Sequence, residues 1–306
     1  MRPTTLLTLL LTTAAGASAA SLRLPLAPTR PRDAPRLRLL HTFSAPSNAR
    51  VLSASAPSTE STKGGAILTL DDGSLISSVQ GTFRVPPAEP PTSGPTANNP
   101  VGVYATSFWV GIDSARPPSP SNSPCGGSLR AGVDIFFDGT IGGPQSPFAW
   151  YQFAPGMGSA VGFDEGFSVA EGDLVRFTLN AGNGEVVVLA ENFGGNVTCV
   201  NTNGTQPIKS VRQVLSPSAR GRLCRTEAAF LVEDFPLDGR PDVPVALANF
   251  TSVAFGTRVT LGDGSVRDLA GAEVLDVRQL QQGGKLTSCE VAGDKVKCAR
   301  VVQGDT

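Results

Sequence analysis

Val175-Arg176-Phe177-Thr178-Leu179 alternates apolar and polar residues with a period of two. That is the pattern of a strand with one face in a core and the other in water. Segments of similar character lie on both sides: Ala66–Leu70, Leu75–Val85, Tyr104–Ile112, Leu129–Phe137, Phe148–Phe153, Leu174–Asn180, Glu185–Ala190 and Ala228–Phe235. Turn signals separate them at Asp71-Asp72-Gly73, Asp138-Gly139, Asn183-Gly184 and Gly262-Asp263-Gly264. Two proline-rich tracts, Pro86 to Pro100 and Arg116 to Pro124, read as exposed loops. No convincing helix exceeds two turns. Many short strands without an internal linker predict one all-β domain with almost no helix, an antiparallel β-sandwich.

The composition agrees. With 17% charged residues, 34 glycines and 25 prolines, the chain is a poor helical bundle, and at 40% apolar it is too hydrophobic to be disordered. There is one histidine, His41. Its loss in processing would exclude Ser-His-Asp hydrolases, Cys-His proteases and His-ligated zinc sites together.

Processing is expected. Arg2, the apolar run Leu6 to Ala15 and the small residues Ala17-Ser18-Ala19 form a secretory signal over residues 1–20. The run is too short to span a bilayer, and no later segment is an anchor. Residues 21–60 hold six prolines and six arginines with no sustained periodicity, and read as a basic propeptide. The first 60 residues carry a net charge of +5 in a chain of net −1, so residues 61–306 carry −6. A basic propeptide could cover an acidic cleft before its removal. The exported product would be acidic, without a basic patch for nucleic acid.

Export permits disulfides. Cys289 and Cys298 flank a short turn and would staple a hairpin; Cys125, Cys199 and Cys224 complete an odd set. No CxxC spacing suggests metal or redox chemistry. Asn196, Asn203 and Asn249 lie in glycosylation sequons.

Without histidine, hydrolysis must rest on carboxylates, amides or a lone nucleophile. The Asp-Thr-Gly and Asp-Ser-Gly tripeptides of pepsin-type sites are absent. Asp113, Asp134, Glu233 and Asp234 stand in otherwise apolar strands, where burying a carboxylate is costly unless it is paired or functional. Glu227 and Glu233 share a strand face but lie roughly 20 Å apart at six residues' separation, too far to act on one bond.

The stretch Leu223-Cys224-Arg225-Thr226-Glu227-Ala228-Ala229-Phe230-Leu231-Val232-Glu233-Asp234-Phe235 resembles the hallmark segment of the fungal glutamic peptidases (eqolisins, peptidase family G1). Phe108-Trp109-Val110-Gly111-Ile112-Asp113, followed by Leu129-Arg130-Ala131-Gly132-Val133-Asp134, resembles the family's second hallmark. Weaker matches at Gly64-Gly65-Ala66-Ile67-Leu68, Ala149-Trp150-Tyr151, Glu171-Gly172-Asp173 and the Cys289/Cys298 hairpin fall in family order from Ser61 to Val302.

The resemblance implies a jelly-roll-like (concanavalin-like) sandwich of two curved sheets and a secreted acid endopeptidase acting on proteins and peptides. It implies a monomer without cofactor or metal. Catalysis would rest on a Glu and a Gln. The Glu falls on Glu233, the general base toward water and then the acid toward the leaving amine. The Gln position falls on Arg130, which can donate to an oxyanion but has no acceptor with which to orient water. Arg130 could also lock Glu233 in an ion pair. Trp109, Asp113 and Asp134 are expected to contact substrate, and Lys63 stands where the family commonly has a tryptophan. Cys125 and Cys224 stand where the family has a disulfide, which leaves Cys199 odd. The departure at Arg130 keeps a second expectation open: a family member that has lost catalysis and binds peptide or glycan.

Overall fold

The computed structural model describes residues 61–301 apart from 92–93, 95–101, 116–124, 158, 165, 183–184, 198–203, 217–220, 236–244 and 280–283. The signal and propeptide expectations, His41, Cys199, Asn203 and the Arg116 to Pro124 tract lie outside the described residues.

The first half of the domain comprises β1 (Lys63–Thr69), β2 (Ile76–Arg84), β3 (Val103–Ile112), β4 (Ser128–Asp138), β5 (Gly143–Pro144), β6 (Phe148–Ala154), β7 (Val161–Gly162) and β8 (Leu174–Ala181). Then come β9 (Val186–Asn192), β10 (Lys209–Leu215), β11 (Glu227–Glu233), β12 (Ala246–Leu247), β13 (Ser252–Leu261) and β14 (Val266–Arg267). The last are β15 (Glu273–Leu275), β16 (Arg278–Gln279), β17 (Gly284–Lys285), β18 (Thr287–Ala292) and β19 (Lys295–Arg300).

One sheet runs β15-β1-β11-β3-β4-β6-β7, with β12 and β5 joined to β3 and β4. The other runs β10-β9-β8-β2-β13-β19-β18, with β14 on β13; β16 and β17 form a separate ribbon. Among the described residues the strands pair antiparallel except where β12 meets β3 in a short parallel contact, Ala246 opposite Tyr104; an isolated bridge, Gly127 to Leu223, is also parallel. The described residues contain no helix.

The sandwich closes over aromatic rings from both sheets. Phe83 packs on Phe177 and Phe255 within its own sheet, and reaches Phe108 of the opposite sheet at 6.2 Å between ring centroids. A Cβ on Gly81 would come within 2.2 Å of Val110 Cγ1, so a side chain there would force the two sheets apart.

The strand patterns have different causes in the two sheets. β8 keeps the expected alternation, because its outer face meets water. Strands β1, β3, β4, β6 and β11 are buried on nearly every residue. Their even-numbered positions in β1, β3 and β11, and odd-numbered ones in β4 and β6, fill the sandwich core. The opposite face is covered by its own side chains, chiefly Trp109, Trp150, Leu231 and Ile67. That second face carries Glu233.

Two disulfides pin the strand ends. Cys125–Cys224 ties the approach to β4 to the approach to β11, and Cys289–Cys298 crosses the β18–β19 hairpin. The first pairing was implied by family resemblance, and the second was legible from the turn.

Candidate active site

Registry assembles the site from five strands, β1, β11, β3, β4 and β6. Lys63 is opposite Glu233, Glu233 opposite Ser107, Ser107 opposite Asp134, and Asp134 opposite Phe148. These five residues form one row across the sheet, on one face. The next row is Gly65, Leu231, Trp109, Gly132, Trp150 and Gly162. Glycine is required within it. A Cβ on Gly132 would meet Phe108 O at 2.2 Å and Trp109 Cβ at 2.6 Å, so any side chain would displace the indole. The third row holds Ile67, Ala229, Gly111, Arg130 and Gln152.

Two donors converge on one oxygen of Glu233. The Trp109 indole Nε1–H donates to Oε2 at 2.7 Å, and Arg130 Nη1 donates to the same atom at 3.3 Å. The Arg130 and Glu233 side chains are 4% and 12% exposed, so the pair is shielded from bulk water and salt. Arg130 is held on three sides. Its Nε donates to Gln152 Oε1 at 2.8 Å, and its Cζ lies 5.5 Å and 5.4 Å from the Trp109 and Trp150 ring centroids, within cation–π range. Burial pushes the guanidinium below its ordinary pKa, and the charges of Glu233 and Asp134 pull it back up.

Asp134 is fully buried on this face. Burial raises its carboxyl to about 8; Ser107, Trp150 and Arg130 face it and oppose the shift, while Glu233 adds to it. Neither carboxyl oxygen makes a hydrogen bond of good geometry. Asp134 is therefore neutral in acid and carries a donor hydroxyl in the same row as Glu233.

Asp113 is placed differently. It follows β3 with a left-handed φ of 53°, and its carboxylate accepts the backbone N–H groups of Arg225, Thr226 and Glu227 at 2.6, 3.0 and 3.1 Å. Burial raises its pKa, and those N–H groups oppose the rise. Arg225 has φ 65°, so two strained residues meet at the corner that launches β11. Asp113 organises backbone there, at the opposite end of β11 from Glu233. Glu227 accepts the Ala115 N–H at 2.8 Å, and Asp234 is buried beyond the end of β11.

Gln152 and Ser107 were not singled out in the sequence. Gln152 is a lone amide in an apolar strand, the same signal that marked the acids, and it alternates in phase with Trp150. Among the described residues no group of three or more His, Cys, Asp or Glu side chains is placed to hold a metal ion. Of the sequons, Asn196 is exposed. Asn249 is half-buried, with its amide engaged by Glu89 and the Thr251 N–H.

The Peptidase A4 family matches residues 61–300, the whole sandwich. Aspergillopepsin-2 of Aspergillus niger is 30% identical over 242 residues, which are 76% of this chain and 74% of that protein. Scytalidopepsin B of Scytalidium lignicola is 29% identical over 257 residues, 82% of each. These matches show that the chain belongs to the Peptidase A4 family, the glutamic peptidases, and is a peptidase.

Proposed function

We propose that this peptidase is a secreted acid endopeptidase, made with a signal over residues 1–20 and a propeptide over 21–60, in which Glu233 activates water. One observation carries the reading. Both donors to Glu233 fall on Oε2, and Oε1 accepts no hydrogen bond from a described residue. A water on Oε1 can pass its proton to the carboxylate while its oxygen attacks the scissile carbonyl carbon. The same proton then moves to the leaving nitrogen as the C–N bond breaks, which returns Glu233 to its starting state.

Arg130 supplies the positive charge that stabilises the oxyanion of the tetrahedral intermediate. Gln152 is the positioning residue for Arg130, because its Oε1 fixes Nε and so the direction of Nη1. Trp109 orients Glu233 through its indole N–H. Asp134, neutral in acid, is a buried donor in the row of Glu233. These steps use side chains and water alone.

The Arg130–Glu233 pair also favours a second reading, in which the cleft holds a peptide or glycan without cutting it. A guanidinium has no acceptor for a water proton, and a shielded ion pair resists opening. Hydrolysis of a protein substrate at about pH 3 by the mature form separates the two readings, with Arg130→Gln alongside. An active parent supports the endopeptidase. A silent parent that gains activity in Arg130→Gln supports the binding reading.

A further inference from the structure

Lys63 is the first residue of β1 and the registered partner of Glu233. Its Nζ lies 5.7 Å from the centroid of the Trp109 ring, the ring whose N–H holds Glu233. The ammonium donates once, to Ala115 O at 2.9 Å. An ammonium has three donors, so two remain to be used. Among the described residues no carboxylate lies within ion-pair distance of it.

The acids around Lys63 are committed elsewhere. Glu233 pairs with Arg130, and Glu227 accepts from Ala115 N. Asp276 is held by Lys285 at 2.9 Å and accepts from Cys289 N. Glu273 lies at the exposed start of β15, opposite Ile67, and has its own interactions. Asp134 is neutral in acid. Arg130, the other cation of this face, is neutralised by Glu233 and buried. Lys63 is half-buried at the rim, and is the positive charge of this face without a matching carboxylate.

We propose that Lys63 forms a subsite for an acidic side chain, Glu or Asp, in the peptide segment that flanks the scissile bond. The proposal rests on the peptidase reading and adds a substrate class to it. The ammonium is fixed by Trp109 and Ala115 before substrate arrives, so little ordering cost remains on binding. A carboxylate there gains a charge-assisted hydrogen bond at a partly shielded site, and a carboxamide of the same shape gains a weaker one. The preference depends on substrate ionisation. A glutamate side chain loses its proton at a pH of about 4.3 while lysine is cationic throughout the acid range. Discrimination between Glu and Gln is absent at lower pH and grows above it.

The test uses paired internally quenched peptides that differ only by Glu or Gln beside the cleaved bond, assayed with the parent, Lys63→Met and Lys63→Arg. The expected parent ratio of kcat/KM, Glu over Gln, is about five- to tenfold at pH 5 and about one at pH 3. Lys63→Met should abolish the ratio at pH 5, and Lys63→Arg should retain it. A parent ratio of one at pH 5, or an undiminished ratio in Lys63→Met, overturns the proposal. Ketomethylene analogues of the same peptides, titrated by fluorescence anisotropy, read the subsite without cleavage. Glu-selective binding that depends on Lys63, with no hydrolysis of any peptide, upholds the subsite and overturns the peptidase chemistry. Hydrolysis without selectivity does the reverse.

Discussion

Arg130 Nη1 and Glu233 Oε2 are 3.3 Å apart, in a pair formed diagonally across β3 from strands that are not hydrogen-bonded to each other. The pair spans four residues of register, since Arg130 is opposite Gly111 and Glu233 opposite Ser107. Trp109, between those two positions, touches both partners. This face of the sheet thus carries a charge pair of which neither member can be removed without stranding the other.

Arg130→Ala removes the charge proposed to stabilise the developing oxyanion. The expected loss is about 100- to 1,000-fold in kcat, with KM changed far less, as for deletion of other preorganised donors. Thermal denaturation checks that the variant is folded. Unchanged kcat would show that Arg130 is a packing element only.

Gln152→Leu keeps the volume of the side chain but leaves Arg130 Nε without its Oε1 acceptor. The expected result is a fall in kcat of about tenfold with little change in KM, and Gln152→Glu, which retains an acceptor, should restore most of it. A role in packing alone would change stability and leave the pH profile of kcat unmoved.

Much of this was legible before the structure. The alternation at Val175–Leu179 became β8, and the predicted segments fall within a few residues of β1, β2, β3, β4, β6, β8, β9 and β11. Trp109, Arg130 and Glu233 come from hallmark segments, and the fold brings them together. Gln152 is not legible locally because its importance lies in being opposite Arg130, and cross-strand register is set by long-range pairing, which local sequence does not encode. Asp113 shows the converse. An acid in an apolar strand was a sound signal of a special role, and its carboxylate proves to be engaged by three backbone N–H groups at a corner.

Asp134 should make stability depend on pH. Its folded pKa of about 8 stands above the unfolded carboxylate value, so the neutral buried acid contributes fully below about pH 4 and that contribution is lost as pH rises toward 8. Urea midpoints should fall across that window in the parent. Asp134→Asn, neutral throughout, should flatten the fall by about 2–5 kcal/mol. Superimposable profiles would mean that the acid is not buried in neutral form.

The disulfides should differ in weight. Cys125–Cys224 closes a separation of 99 residues and Cys289–Cys298 one of 9. On chain entropy the first stabilises by about 2 kcal/mol more than the second. Serine substitutions of each pair, followed by urea unfolding, measure the difference; a costlier loss of Cys289–Cys298 would contradict it.

The central claim is that Glu233 is the acid and base of peptide hydrolysis, and Glu233→Gln tests it most directly. The variant keeps an oxygen for the Trp109 and Arg130 donors but can no longer exchange a proton. The parent should hydrolyse a denatured protein substrate at about pH 3, and Glu233→Gln should lose at least about 1,000-fold in kcat while retaining its melting temperature within a few degrees. Hydrolysis that survives Glu233→Gln at the parental rate would contradict the account.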